Sequence, residues 1–164
     1  MSKPSGERRS FFERVATPIA SSRPGAWFYV NLAPYLDRPL MKLTRGWFST
    51  AGFGRVGILH VRGAKSGAER RTPLVYTRDG EKILLVASRG GDVRHPAWYR
   101  NVVANPEVGF LFDGERRRYR AHEAGGEERE RAWALCNRTY AGYAAYQRRA
   151  GERRIPVLVL EPLV

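Results

Sequence analysis

The sequence predicts an α+β domain in which a small, mostly antiparallel sheet curls into a barrel. Two hairpin signals, Asp79-Gly80 and Asp113-Gly114, each lie between runs rich in β-forming residues. A late apolar run at residues 155–160 adds another strand, and helical patterns fall between these elements. The regular strand–helix alternation of a doubly wound parallel sheet is missing. No Gly-x-Gly-x-x-Gly fingerprint follows any strand.

In chain order, residues 1–25 are basic and polar and carry Pro4, Gly6, Pro18, Pro24 and Gly25, which suits an arm with one turn of helix at 11–15. From 27 to 48 apolar clusters alternate with prolines. Asp37-Arg38-Pro39 opens a helix with Leu40, Leu43 and Trp47 on one face and Lys42 and Arg45 off it. That face suits packing on a core or docking on an anionic membrane surface. Residues 1–55 therefore read as a basic, partly helical N-terminal extension, and 56–164 as the domain proper.

Gly52-Phe53-Gly54 is a break, and residues 55–62 form a strand that ends in a loop at 63–71. A second strand at 72–78 and a third at 81–87 flank the turn Asp79-Gly80. Pro96 stands as the first residue of a helix that Asn105-Pro106 stops. Residues 108–112 and 116–122 make the second hairpin. A helix at 127–140 places Ala132, Leu135, Cys136, Thr139 and Tyr140 at core-facing spacing, so Cys136 reads as an inert core thiol. Residues 141–150 carry Tyr143 and Tyr146 ahead of the last strand.

With 164 residues, 43% of them hydrophobic and 12% aromatic, the chain can bury a core without disulfide or metal staples. One cysteine leaves no intrachain disulfide and no multi-thiolate site, which suits a reducing cytoplasm. No apolar stretch has the length of a signal peptide core or a membrane span. The expectation is a cytoplasmic protein, soluble or peripheral to the membrane. Lysine and arginine number 29 against 16 acids, giving +13, which favours polyanions, anionic surfaces or acidic small molecules. Only Lys3, Lys42, Lys65 and Lys82 are lysines, and arginine excess beside abundant alanine and glycine also follows from a GC-rich genome.

The chemistry concentrates at residues 85–106. Ile83, Leu84, Leu85, Val86 and Ala87 form an apolar run suited to a strand buried on both faces, and Ser88-Arg89-Gly90-Gly91 breaks it. Gly90 and Gly91 permit positive φ and close ligand approach, while Ser88, Arg89 and Arg94 supply a hydroxyl and two cations. The following helix start would turn unpaired N–H groups toward the same loop. The loop Gly63-Ala64-Lys65-Ser66-Gly67, followed by Arg70 and Arg71, is a second anion-suited turn, although it lacks Walker spacing. Taken singly, each reads first as an ordinary turn, with anion binding the sharper alternative.

Other reaction classes lack support. His60, His95 and His122 are scattered with no partner at ligand spacing, so no metal is expected. No nucleophile elbow surrounds Ser66 or Ser88, and no carboxylate pair stands out. Nucleic-acid binding is disfavoured because the aromatics sit on helices rather than on strand faces. What remains is a protein that holds an acidic, phosphorylated, aromatic cofactor and leaves the chemistry to it.

The motifs in order resemble one family. Gly63-Ala64-Lys65-Ser66-Gly67, Arg70, Thr72-Pro73-Leu74, Ala87-Ser88-Arg89-Gly90-Gly91, His95-Pro96-Ala97-Trp98-Tyr99, Asn101, Ala104-Asn105-Pro106, Gly142-Tyr143, Tyr146-Gln147 and Arg154-Ile155-Pro156-Val157 look like the deazaflavin-dependent nitroreductases. The resemblance covers roughly residues 56–162. It implies a split β-barrel with flanking helices and coenzyme F420 as cofactor. The implied activity is hydride transfer to a small electron-poor acceptor such as a quinone, an enone or a nitro compound.

Carried over by residue, the resemblance implies that Lys65, Ser66, Gly67 and Arg70 hold the phosphate and glutamate tail. Ala87, Ser88, Arg89, Gly90 and Gly91 would line the phosphate and deazaflavin side, with Trp98 and Asn101 completing that wall. Pro73, Leu74 and Tyr76 would bracket the ring. Tyr143 and Tyr146 would border the acceptor opening, and one of them would orient or protonate the acceptor. The chain departs from the family's pattern at Ala64, where arginine is usual, at Arg89, where lysine is usual, and at Ala141, where proline is frequent. The alternatives are a split barrel binding FMN or haem, a non-catalytic carrier, or a basic protein that binds anionic membranes or nucleic acid. A monomer or weak homodimer is expected.

Overall fold

The computed structural model describes residues 55–163. The expected N-terminal extension lies outside them, and so does the membrane contact assigned to it. Six strands form the framework: β1 (Arg55–Arg62), β2 (Glu69–Asp79), β3 (Lys82–Val86), β4 (Glu107–Phe112), β5 (Glu115–Glu123) and β6 (Val157–Pro162). Three helices, α1 (Ala97–Ala104), α2 (Gly126–Thr139) and α3 (Gly142–Ala150), accompany a short 3-10 turn at Arg89–Gly91.

The strands close in the order β1-β2-β3-β6-β5-β4, and every pairing is antiparallel. Closure comes from β1 against β4, with Ile58 opposite Leu111 and His60 opposite Gly109. Two-residue loops set the register of both hairpins. Asp113 and Gly114 both take positive φ, as the second loop requires. In the first hairpin Asp79 pairs with Lys82, so the loop is Gly80-Glu81, one residue later than the sequence suggests.

Strand alternation builds two cores on the two faces of one sheet. Leu59, Val61, Tyr76, Ile83, Leu85, Phe110 and Tyr119 fill the barrel, and Trp98 and Val102 of α1 join them. On the outer face, Leu84, Val86, Val157 and Val159 pack against Ala132 and Cys136 of α2 and against Tyr143, Tyr146 and Ala150 of α3. Strand β3 is thus buried on both faces, as its unbroken apolar run predicts. Burial pushes the Cys136 thiol up to about 11, which keeps it protonated and inert. No helix among the described residues is long and apolar enough to cross a membrane.

Candidate functional site

Two cation-bearing turns are joined to α1. The first closes when the Gly63 N–H donates to the Ala68 carbonyl at 2.8 Å and the Gly67 N–H donates to the Gly63 carbonyl at 2.9 Å. Lys65, Ser66 and Arg70 are all exposed there, and Arg70 Nη2 donates to Ser66 Oγ at 3.4 Å. The Ala64 N–H donates to Asn101 Oδ1 at 3.0 Å, and Asn105 Nδ2 donates to the Arg62 carbonyl at 3.2 Å, so α1 anchors this turn.

The second turn follows β3. Arg89, Gly90 and Gly91 take φ of 49°, 64° and 82°, three left-handed residues in succession. A Cβ on Gly91 would stand 2.6 Å from the Tyr146 carbonyl oxygen and 2.9 Å from Arg149 Cβ, so only glycine lets α3 lie against the turn. Pro96 is the residue just before α1 rather than its first helical residue, with ψ of 152°. No side chain caps α1 and no acid occupies its first turn, so its N-terminus presents open N–H groups.

Charges reinforce the second turn. Arg89 Nε lies 3.5 Å from Asp92 Oδ2, and Asp92 Oδ1 accepts the Arg94 N–H at 2.8 Å. That hydrogen bond, and then the Arg89 and Arg94 charges, hold the Asp92 carboxyl below its usual range against the opposing effect of burial. Behind the turn stand two arginines absent from the sequence expectation. Arg153 donates to the carbonyls of Asp92, Ser88 and Ala87 at 2.8, 2.8 and 3.3 Å, and Arg149 donates to the Gly90 carbonyl at 2.7 Å. Nothing local in the sequence separates them from the exposed arginines nearby.

The remaining expected residues separate. Along β2, Pro73 faces the side of the sheet opposite to Leu74 and Tyr76, because the side-chain period is two. Their three side chains therefore do not bracket one ring. Tyr76 lies inside the barrel, 5.4 Å from the Phe110 ring centroid. Trp98 is also buried in the barrel core, while Asn101, one turn later, is half-buried at the Lys65 turn.

Tyr143 and Tyr146 are both buried on α3. Burial pushes both phenols up, and strongly so at Tyr143. Tyr146 Oη lies 3.0 Å from Tyr140 Oη, a partner that the sequence analysis places only as a core-facing helix residue. Tyr140 instead caps α2 with extended backbone, and Gly142 leaves room for its ring. On the other side of α1, Tyr99 donates to Glu123 Oε2 at 2.6 Å and stacks on His95, and burial with that bond raises its phenol to about 12. No group of three or more His, Cys, Asp or Glu gathers among the described residues.

Known proteins are similar to this chain. An F420H(2)-dependent quinone reductase of Mycobacterium tuberculosis is 42% identical over 106 residues, which are 63% of this chain and 70% of that protein. A solved F420-H2 dependent reductase is 41% identical, with 65% of this chain and 93% of that one aligned at a TM-score of 0.61. A second solved chain, described as a domain-swapped dimer, is 36% identical, with 78% and 98% aligned at 0.62. The family model described as F420H(2)-dependent quinone reductase matches residues 48–162, a span that includes both basic turns and the tyrosine helix, and the chain belongs to that family.

Proposed function

We propose that this reductase passes a hydride from F420H2 to a quinone-type acceptor. The cofactor's acidic tail would lie at Lys65, Ser66 and Arg70, and its phosphate and ring side at residues 88–91. Family membership makes the protein an F420-dependent reductase, and the donor set fits such a group. Three exposed side chains at the first turn and the start of β2 offer two cations and a hydroxyl, and the neighbouring carboxylate, Glu69, is engaged by His60, Arg71 and Arg116. The observation that carries the reading is that α1 joins both turns. Asn101 grips the first, and the uncapped N-terminus follows the second. Asn101 lies five residue steps along the helix from its cap residue Pro96, about 7.5 Å, a span suited to an elongated anion.

When bound, F420H2 supplies the hydride, which is two electrons and one proton's worth of hydrogen. Quinone reduction to hydroquinone then needs one further proton. The Tyr140–Tyr146 pair is the better source of it. Both Tyr143 and Tyr146 are buried, and it is Tyr146 whose hydroxyl reaches the half-buried Tyr140 through a 3.0 Å contact and whose backbone lies against Gly91. Burial keeps the Tyr146 phenol protonated at neutral pH, so it serves as a hydrogen-bond donor to a carbonyl that gains negative charge. Nitro compounds and enones, which also accept a hydride and a proton, fit the same chemistry.

The test is a titration with oxidised F420, followed by quenching of the four tryptophans, with FMN as competitor. Turnover with a soluble naphthoquinone comes next. Saturable F420 binding unaffected by FMN, and hydroquinone formation, are expected; binding of FMN in its place would overturn the assignment. Tyr146→Phe is expected to lower kcat about a hundredfold with F420 affinity kept, and Tyr143→Phe to stay within about threefold. The reverse pattern would move the proton to Tyr143.

A further inference from the structure

We propose that Arg153 is a positioning residue for the phosphate side of the cofactor, acting through the backbone of residues 87–92 without touching the cofactor. The proposal rests on the F420 reading above. Arg153 is half-buried, and the Asp92 charge acts on it although its hydrogen bonds go to main-chain oxygens. Its donors go to main-chain oxygens of a single turn: Nε to Asp92, Nη2 to Ser88 and Nη1 to Ala87. Nη1 also stands 3.5 Å from His95 Nδ1 at the approach to α1. An arginine used in this way sets the shape of a loop.

Peptide planarity gives that shape a direction. In a trans peptide the N–H points opposite to the preceding C=O, so carbonyls of Ala87 and Ser88 drawn toward Arg153 send the N–H groups of Ser88 and Arg89 away from it. Arg149 repeats the pull on the Gly90 carbonyl, and the Gly91 N–H closes the turn on the Ser88 carbonyl at 3.0 Å. Three successive left-handed residues would not hold this geometry unaided, because Arg89 carries a Cβ. The Gly91 and Asp92 N–H groups are spent inside the turn on the Ser88 and Arg89 carbonyls, so the outcome is a pair of backbone donors, the N–H groups of Ser88 and Arg89, on the face opposite Arg153. The guanidinium behind the turn adds positive potential and polarises the same peptides. Burial lowers the Arg153 pKa, yet a guanidinium stays charged throughout the working range.

Arg153→Lys tests this, because it keeps the charge and loses the planar fork. Four quantities are read: the dissociation constants for F420 and for the phosphate-free 8-hydroxy-5-deazaflavin riboside, the 15N amide resonances of Ser88 and Arg89, and the melting temperature. Arg153→Lys is expected to shift both amides and raise the F420 constant about tenfold, while the riboside constant changes less than about twofold. Arg154→Met, at an exposed residue bonded to Glu130, is expected to change none of these. Equal weakening of both ligands would mean a merely structural role and overturn the proposal, as would an indifferent Arg153→Lys. Failure of the wild-type protein to bind F420 would instead overturn the cofactor reading. If Arg153→Lys does not fold, Arg149→Met, which loses the bond to the Gly90 carbonyl together with the 5.6 Å approach of the guanidinium to the Tyr146 ring, should show the same selective weakening at about threefold.

Discussion

The turn at residues 63–68 and the turn at residues 88–91 carry similar charge and hold it by different means. In the first, Lys65 and, at the start of β2 beside it, Arg70 end long exposed side chains, and Arg70 Nη2 meets Ser66 Oγ at 3.4 Å. In the second, two cations stand behind the loop, and what faces outward is backbone held in left-handed geometry by Arg153, Arg149 and the packing of Gly91 on α3. Side-chain charge attracts over a distance and tolerates small shifts of the ligand. Fixed backbone donors fix a position and lose their value when displaced by an ångström. An acidic tail of many rotatable bonds suits the first kind of site, and a reacting ring system needs the second.

Gly91→Ala breaks the comparison most severely. The new Cβ meets the Tyr146 carbonyl at 2.6 Å and Arg149 Cβ at 2.9 Å, and alanine must also hold φ of 82°. Left-handed strain of about 1–2 kcal/mol and overpacking of about 1–3 kcal/mol together destabilise the fold by roughly 2–5 kcal/mol. Urea unfolding measures the loss, and F420 binding is expected to disappear with it. Native stability in this variant would mean that α3 can leave the turn freely, and the rigid half of the comparison would fall.

Lys65→Ala and Arg70→Ala address the other half. With the tail at the proposed place, each would remove a charge-assisted contact worth about 1.5–3 kcal/mol, so F420 affinity should fall roughly ten- to hundredfold. Stability should change by less than about 0.5 kcal/mol, because both side chains are exposed. The wild-type affinity should weaken as salt is added, and the two variants should respond to salt less steeply. Equal salt slopes in all three proteins would place the tail elsewhere.

The sequence makes local geometry readable and leaves most of the distant geometry hidden. Asp113-Gly114 announces its hairpin because few other pairs accept two positive φ values. The run from Ile83 to Val86 announces a doubly buried strand because no polar residue interrupts it. Strand β2 begins three residues earlier than expected because Glu69, Arg70 and Arg71 gain their partners from β1, Arg62, Val61 and His60, rather than from any preference of their own. Likewise Pro73-Leu74 reads as one motif although its two side chains leave on opposite faces. The arginines behind the second turn are the hardest case. Arg153 meets carbonyls more than sixty residues away in the chain, and only the return of β6 beside β3 brings it there. Tyr140 is visible as an aromatic but not as the partner of Tyr146, since that contact depends on where α2 ends.

The smallest expected effect separates the turns by pH. Asp92 sits in the second turn with its carboxyl held below the ordinary 3.8, first by the Arg94 N–H and then by the Arg89 charge. A carboxyl whose folded pKa is depressed adds stability above its unfolded value, and that stability is lost as pH falls through the folded pKa. The wild-type protein should therefore lose a component of stability below about pH 4 that Asp92→Asn lacks. At neutral pH the variant should cost less than about 1 kcal/mol, the range of partly exposed ion pairs. Glu69, Glu107, Glu115 and Glu161 are also depressed by their basic partners and remain in both proteins, so the difference between the two pH–stability curves isolates Asp92. Superimposable curves would show that Asp92 holds the turn only through its main-chain carbonyl, the atom that Arg153 Nε already occupies at 2.8 Å. The rigidity of the second turn would then come from the two arginines alone.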